Sequence, residues 1–172
     1  ELLDRLRRAV VQLMGDLSRQ DRLKLVLFNT RVNRSVDFGS DAAAVERAIR
    51  AATAGGGTAL LDALSVAMVS SSTPDRRQLV VFFTDGRDTS SITTPAMLTA
   101  VAQRARATLT FVMPTLAAPP PMFPSSTGTT LTGGTTPSVS SAGVSVMSAP
   151  LIASLFVTLA RDSGGSILPV GA

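Results

Sequence analysis

The sequence predicts an α/β sandwich, with a mainly parallel sheet, one antiparallel edge strand and helices packed against the sheet. Three observations carry this. The runs "RLKLVLFN" and "QLVVFF" are apolar with little alternation, as in strands of a parallel sheet that are covered on both faces, and "ATLTFVM" reads as a third strand. Between them lie segments whose apolar residues recur at three- and four-residue steps, the repeat of an amphipathic helix. One further run, "VNRSVDF", alternates apart from Arg34 and fits a half-exposed edge strand.

Taken in order, Leu3, Leu6, Val10, Leu13 and Leu17 mark a helix over about Glu1–Ser18, with Arg5, Arg8, Gln12 and Asp16 between them. The run ending at Phe28 is the first strand, and Asn29-Thr30-Arg31 turns the chain. The edge strand follows, with Val32, Val36 and Phe38 on one side and Asn33, Ser35 and Asp37 on the other. Ser40 or Asp41 is placed to cap a helix bearing Val45, Ala48, Ile49 and Ala52, which Gly55-Gly56-Gly57 is expected to end. "ALLDALSVAM" is another helix, "STPDRR" a polar turn, and "QLVVFF" a strand that runs into Thr84-Asp85-Gly86. Pro95 suits the first turn of a helix carrying Met97, Leu98, Val101, Ala102 and Ala105. A strand at "ATLTFVM", a helix with Leu151, Ile152, Leu155, Phe156 and Leu159, and a short strand at "SILPV" complete the series.

The 172 residues suit a single domain spanning 1–172. Within it, 114–150 stands apart: it holds seven of the ten prolines, is dense in Ser, Thr and Gly, and has no charged residue. It is expected to be a largely irregular insertion, with "GVSVM" the one patch able to pair as a strand. The stretch Val144–Ala160 is broken by Ser145, Ser148, Pro150, Ser154 and Thr158. It falls short of the roughly 20 apolar residues a membrane span requires, so it is taken as a core helix with its lead-in.

Composition narrows the chemistry. The chain has no Cys, His, Trp or Tyr, which removes disulfides, thiolate or imidazole metal sites and His-dependent triads. Its one lysine, Lys24, falls in a predicted strand. Only carboxylates, such as Asp85 and Asp88, are on offer as catalytic bases, and no nucleophile accompanies them, so a non-enzymatic role is expected. The net charge of +4 comes almost wholly from arginines scattered over helix faces. No aromatic residues interleave with them to stack bases, so no nucleic-acid partner is expected.

Two features can converge at the carboxyl ends of the strands, where ligands gather in such sheets. One is Gly56-Gly57-Thr58-Ala59-Leu60 with Asp62. The other is Thr84-Asp85-Gly86. The Thr58 hydroxyl and the Asp85 carboxylate are hard oxygen donors of the kind that suit Mg2+ or Mn2+, although two donors are too few for a complete site. The glycine run is no phosphate loop: it follows a helix and lacks a Gly-Lys-Ser/Thr. Asp85-Gly86 is also a common turn pair in its own right.

"DRLKLVLFNTRV", "GGGTALLDAL" and "LVVFFTDGRD" resemble the second strand, the threonine loop and the fourth strand of a von Willebrand factor type A domain, in order and spacing. The likeness covers about 1–113 and 151–170. It implies a three-layer α/β/α fold and a metal-ion-dependent adhesion site, in which Thr58 matches the threonine and Asp85 the second aspartate. The implied ion is Mg2+, with Mn2+ or Ca2+ as alternatives, and the implied partner is a protein that offers a carboxylate. Asp62 matches a common helix residue and is given no ligand role. The family's Asp-x-Ser-x-Ser motif is absent. Asp16-Leu17-Ser18-Arg19-Gln20 lacks the second serine and is taken as a helix end, and Asp88-Thr89-Ser90-Ser91-Ile92 fails in the same way. The central first strand and its motif are expected just ahead of Glu1. Bacterial relatives with Ser/Thr/Pro-rich insertions suggest an extracellular or periplasmic location. The competing expectation is a structural or assembly domain of the same fold with a metal-free face.

Overall fold

The structure, a computed structural model, describes residues 2–18, 20–39, 42–70, 76–114 and 149–170. The elements follow the predicted order: α1 (Leu2–Asp16), β1 (Leu25–Phe28), β2 (Val32–Val36), α2 (Ala42–Arg50), α3 (Leu60–Val69), β3 (Gln78–Phe83), α4 (Pro95–Arg104), β4 (Ala107–Pro114), α5 (Ala149–Ser163) and β5 (Ser166–Val170). The 114–150 segment lies outside the described residues except for Pro114, which ends β4, and Ala149 and Pro150, which open α5. The "GVSVM" expectation and the Ser40/Asp41 cap also lie outside them. No helix among the described residues is long and apolar enough to cross a membrane.

The strands form a parallel three-stranded sheet, ordered β3-β4-β5, and an antiparallel pair, β1-β2. In the parallel sheet Phe82 lies opposite Phe111, and Phe111 opposite Ile167. A line of stacked rings ties the molecule together across both sheets. Phe28 stacks on Phe82 at 5.2 Å between centroids, Phe82 meets Phe111 edge-on at 6.3 Å, and Phe111 stacks on Phe156 of α5 at 4.1 Å. Around them Leu60, Leu61 and Leu64 of α3, Leu98 of α4 and Ile152 and Leu159 of α5 are buried in one core. Apolar burial of this kind is the main term favouring the fold.

Two expectations are corrected. The β1 run is not covered on both faces in a parallel sheet. All four of its residues are half-buried, and it pairs antiparallel with β2, Leu25 opposite Val36. The glycine run does not end α2, which stops at Arg50, well before Gly55. Its terminal carbonyls are met from α1 instead: Arg7 donates from Nε to the carbonyl oxygen of Ile49 (3.3 Å), and from Nη2 to those of Arg50 (3.2 Å) and Ala52 (2.8 Å). A cation at a helix C-terminus is favourably placed against the helix dipole as well as hydrogen-bonded. Arg7 is therefore not one of the solvated arginines of a helix face. Pro95 behaves as expected, opening α4 beside an N-cap Thr94 whose hydroxyl accepts from the Met97 N–H at 3.3 Å.

Candidate functional site

Three loops meet at the carboxyl ends of β1 and β3. The first, Asn29–Arg31, leaves β1. Its Asn29 carbonyl accepts from Ala59 N–H at 2.6 Å, and its Thr30 hydroxyl accepts from Gly57 N–H at 3.2 Å. The second is the glycine-threonine loop. The third leaves β3 at Thr84, whose N–H still extends the ladder to the Val112 carbonyl at 3.2 Å.

The second and third loops pair directly. Thr58 N–H donates to the Thr89 hydroxyl at 2.8 Å, and the Thr58 carbonyl accepts from Thr89 N–H (2.9 Å) and Ser90 N–H (3.1 Å). Gly57 is glycine because the loops touch here: a side chain would run into the Ser90 hydroxyl. The structure thus brings the loops of Thr58 and Asp85 to one rim. The Thr58 backbone is fully engaged, while its hydroxyl has no hydrogen-bond partner among the described residues. Asp85 is exposed. Its carboxylate accepts from Arg87 N–H at 3.2 Å, a turn of the kind Asp favours. Gly86 follows at φ +78°, where a side chain would be strained and its Cβ would fall 2.8 Å from Met113 Cε.

The rim is held by Asp62, Asp88 and Ser91, residues to which the sequence alone assigns no role. Ala59, the residue before α3, offers no side-chain cap. The orphan N–H groups of Leu61 and Asp62 instead donate to the Ser91 hydroxyl, at 2.9 and 3.2 Å. In return the Asp62 carboxylate accepts from Ile92 N–H (3.1 Å) and Thr93 N–H (2.7 Å). Burial pushes the Asp62 carboxyl up, but the hydrogen bonds from Thr93 and Ile92 outweigh it and hold the group below its ordinary value. Asp88, only 3% exposed, accepts from Ser90 and Ser91 N–H at 3.3 and 3.1 Å and shapes the turn. Asp88-Thr89-Ser90-Ser91 looked like a failed metal motif, and it is the frame on which the rim is built. A run of small hydroxyl residues after Asp-Gly, facing a helix start with no capping side chain, was the available signal.

The other partial motif is a helix end, as expected: Asp16 closes α1, and Ser18 hydrogen-bonds the Asp21 carboxylate at 2.7 Å. Lys24 lies at the far end of β1 from the rim, with its ammonium 3.1 Å from Asp37 and 5.8 Å from the centre of the Phe38 ring. Among the described residues no three Asp, Glu, His or Cys side chains are grouped to hold a metal ion. Thr58 and Asp85 suit Mg2+ in donor chemistry, but by themselves they do not complete its octahedron.

No curated protein matches the chain. Two solved structures share its fold. One is an aerotolerance-related membrane protein from Bacteroides fragilis with multiple mutations to serines (16% identity, TM-score 0.59), the other the protein BatB from Bacteroides thetaiotaomicron (15% identity, TM-score 0.62). In each case the match covers 98% of this chain and 80% of the other. The model of the von Willebrand factor type A domain matches residues 1–87, from α1 through the β3 loop that carries Asp85. With that match over half the sequence, and with this order of strands and helices, the chain belongs to the von Willebrand factor type A domain family.

Proposed function

We propose that the chain is a protein-binding module whose binding face is the rim built by the Thr58 and Asp85 loops. Domains of this family are generally non-enzymatic interaction or adhesion-type modules. On this reading Thr58, through its hydroxyl, and Asp85, through its carboxylate, supply two of the oxygen donors for Mg2+. Water and a partner carboxylate supply others. The observation that carries the reading is the direct backbone pairing of Thr58 with Thr89 and Ser90, which joins the two donor loops. The ion supplies a positive centre that attracts an acidic partner group, and the chain's part is to hold the donors.

Calorimetric titration of Mg2+ into the chain, extended upstream of Glu1, tests it. The expected result is a saturable heat that Asp85→Ala removes. No heat in either protein would rule out the metal-dependent reading.

A second reading has its own support. Among the described residues no three Asp, Glu, His or Cys side chains are grouped to hold a metal ion, and the Asp85 carboxylate already shapes a turn. The same face then acts as a structural or assembly surface without metal. Partner binding that persists in excess chelator favours this reading.

A further inference from the structure

We propose that Asp62 and Ser91 are positioning residues, a reciprocal cap that locks the Thr58 loop and the Asp85 loop into one rigid binding edge. The effect on ligand binding rests on the reading above, whereas the lock stands on geometry alone. The start of an α-helix leaves N–H groups unsatisfied, and a nearby side chain normally caps them. In α3 the cap comes from a residue about 30 positions away. Ser91 takes the N–H groups of Leu61 and Asp62, while Asp62 takes those of Ile92 and Thr93.

A local capping box exchanges such bonds within one turn of helix. Here the exchange runs between two separate loops, so neither can shift without breaking the other's bonds. The Asp62 bonds are charge-assisted, which makes them the stronger half. Asp88 sets the turn between Ser91 and Thr89, and Thr89 grips Thr58. The chain of contacts therefore runs unbroken from Asp62 through Ser91, Asp88 and Thr89 to Thr58.

The lock has a consequence for recognition. Ile92 is 87% exposed, yet its N–H is held by Asp62. The tip of the loop is thereby presented to solvent as a fixed surface. A surface already fixed avoids the ordering cost that a loose loop meets on binding.

The test compares wild type with Asp62→Asn, Ser91→Ala and Ser91→Thr by amide hydrogen exchange and by Mg2+ titration of the same upstream-extended protein. Asparagine puts an NH2 where a carboxylate oxygen accepts, so Asp62→Asn is expected to speed exchange at Ile92 and Thr93 by about tenfold or more. Ser91→Ala is expected to do the same at Leu61 and Asp62, and both variants at Thr89 and Ser90. Amides of β4 are expected to be unchanged, and Ser91→Thr, which keeps the hydroxyl, to restore the wild-type pattern. Mg2+ affinity is expected to fall about tenfold in the two disrupting variants.

Unchanged exchange at Thr89 and Ser90 overturns the lock. Equal acceleration throughout β4 overturns it too, because that marks general destabilisation. Faster loop exchange with unchanged Mg2+ affinity overturns the positioning role. A wild-type chain that takes up no Mg2+ removes the metal reading, and the exchange result then decides the lock by itself.

Discussion

At the scale of single residues, two side chains hold distant backbone groups and can be read by substitution. Asp62 is the first. Its carboxyl titrates below the ordinary 3.8 in the folded chain, because the hydrogen bonds from Thr93 and Ile92 prevail over burial. A carboxyl with a depressed folded pKa stabilises the fold fully above its unfolded value, and that stabilisation is lost as pH falls through the folded one. Stability should thus drop on acidification below about pH 4, and drop less steeply in Asp62→Asn. At neutral pH that variant should be about 1–3 kcal/mol less stable. Asp4, held down by Arg7, and Asp21, held down by Ser18, shift in the same direction. The difference between wild type and variant in denaturant melts at several pH values isolates the Asp62 part. Arg7 is the second. Removing its guanidinium takes away the Arg7 bonds to the carbonyls of Arg50 and Ala52, and leaves the Ile49 carbonyl with the Ala52 N–H alone. Arg7→Ala is expected to cost about 1–2 kcal/mol in a urea melt. Arg7→Lys should recover little, because a single ammonium cannot match a planar fork that reaches several acceptors.

At the scale of elements, the sequence was legible where one segment carries its own pattern. The run Gln78–Phe83 has the predicted bounds of β3, Pro95 opens α4, and the apolar face with Ile152, Phe156 and Leu159 is buried in α5. It was not legible where the structure depends on pairing between segments. The half-buried β1 is as apolar as a parallel core strand, and its antiparallel partner is not written in its own residues. The glycine run looked like a helix stop because Gly commonly serves as one. Its actual place, under Ser90, follows from a contact between positions 33 apart. The Ser91–Asp62 exchange has no periodicity for the same reason. Packing in the core can be tested directly. Phe156 is fully buried and stacks on Phe111, whereas its neighbour Val157 is exposed. Phe156→Ala should cost about 3–5 kcal/mol, and Val157→Ala should stay within about 0.5 kcal/mol of wild type. Chemical denaturation of the two variants measures both.

At the scale of the whole molecule, the sheet is divided. Among the described residues β1 hydrogen-bonds only to β2, and β3 only to β4, so each has an edge free of ladder bonds. Both strands pack against α3, and the Phe28–Phe82 stack bridges them without joining their backbones. Leu79 on β3 is 61% exposed, and no residue described in α1 is fully buried despite its apolar stripe. A two-stranded pair is marginal on its own in water, and a free apolar edge is a template for another chain. These features act together, because the same divided sheet that leaves the edges open also leaves α1 with little to cover. The 172-residue chain alone is therefore expected to unfold over a broad, low-temperature transition, and to self-associate as its concentration rises. Sedimentation velocity over a concentration series, with thermal melts in parallel, measures both effects. A monomer at every concentration, melting sharply and reversibly, would show that α3 and the aromatic stack hold the two sheets together without a strand between them.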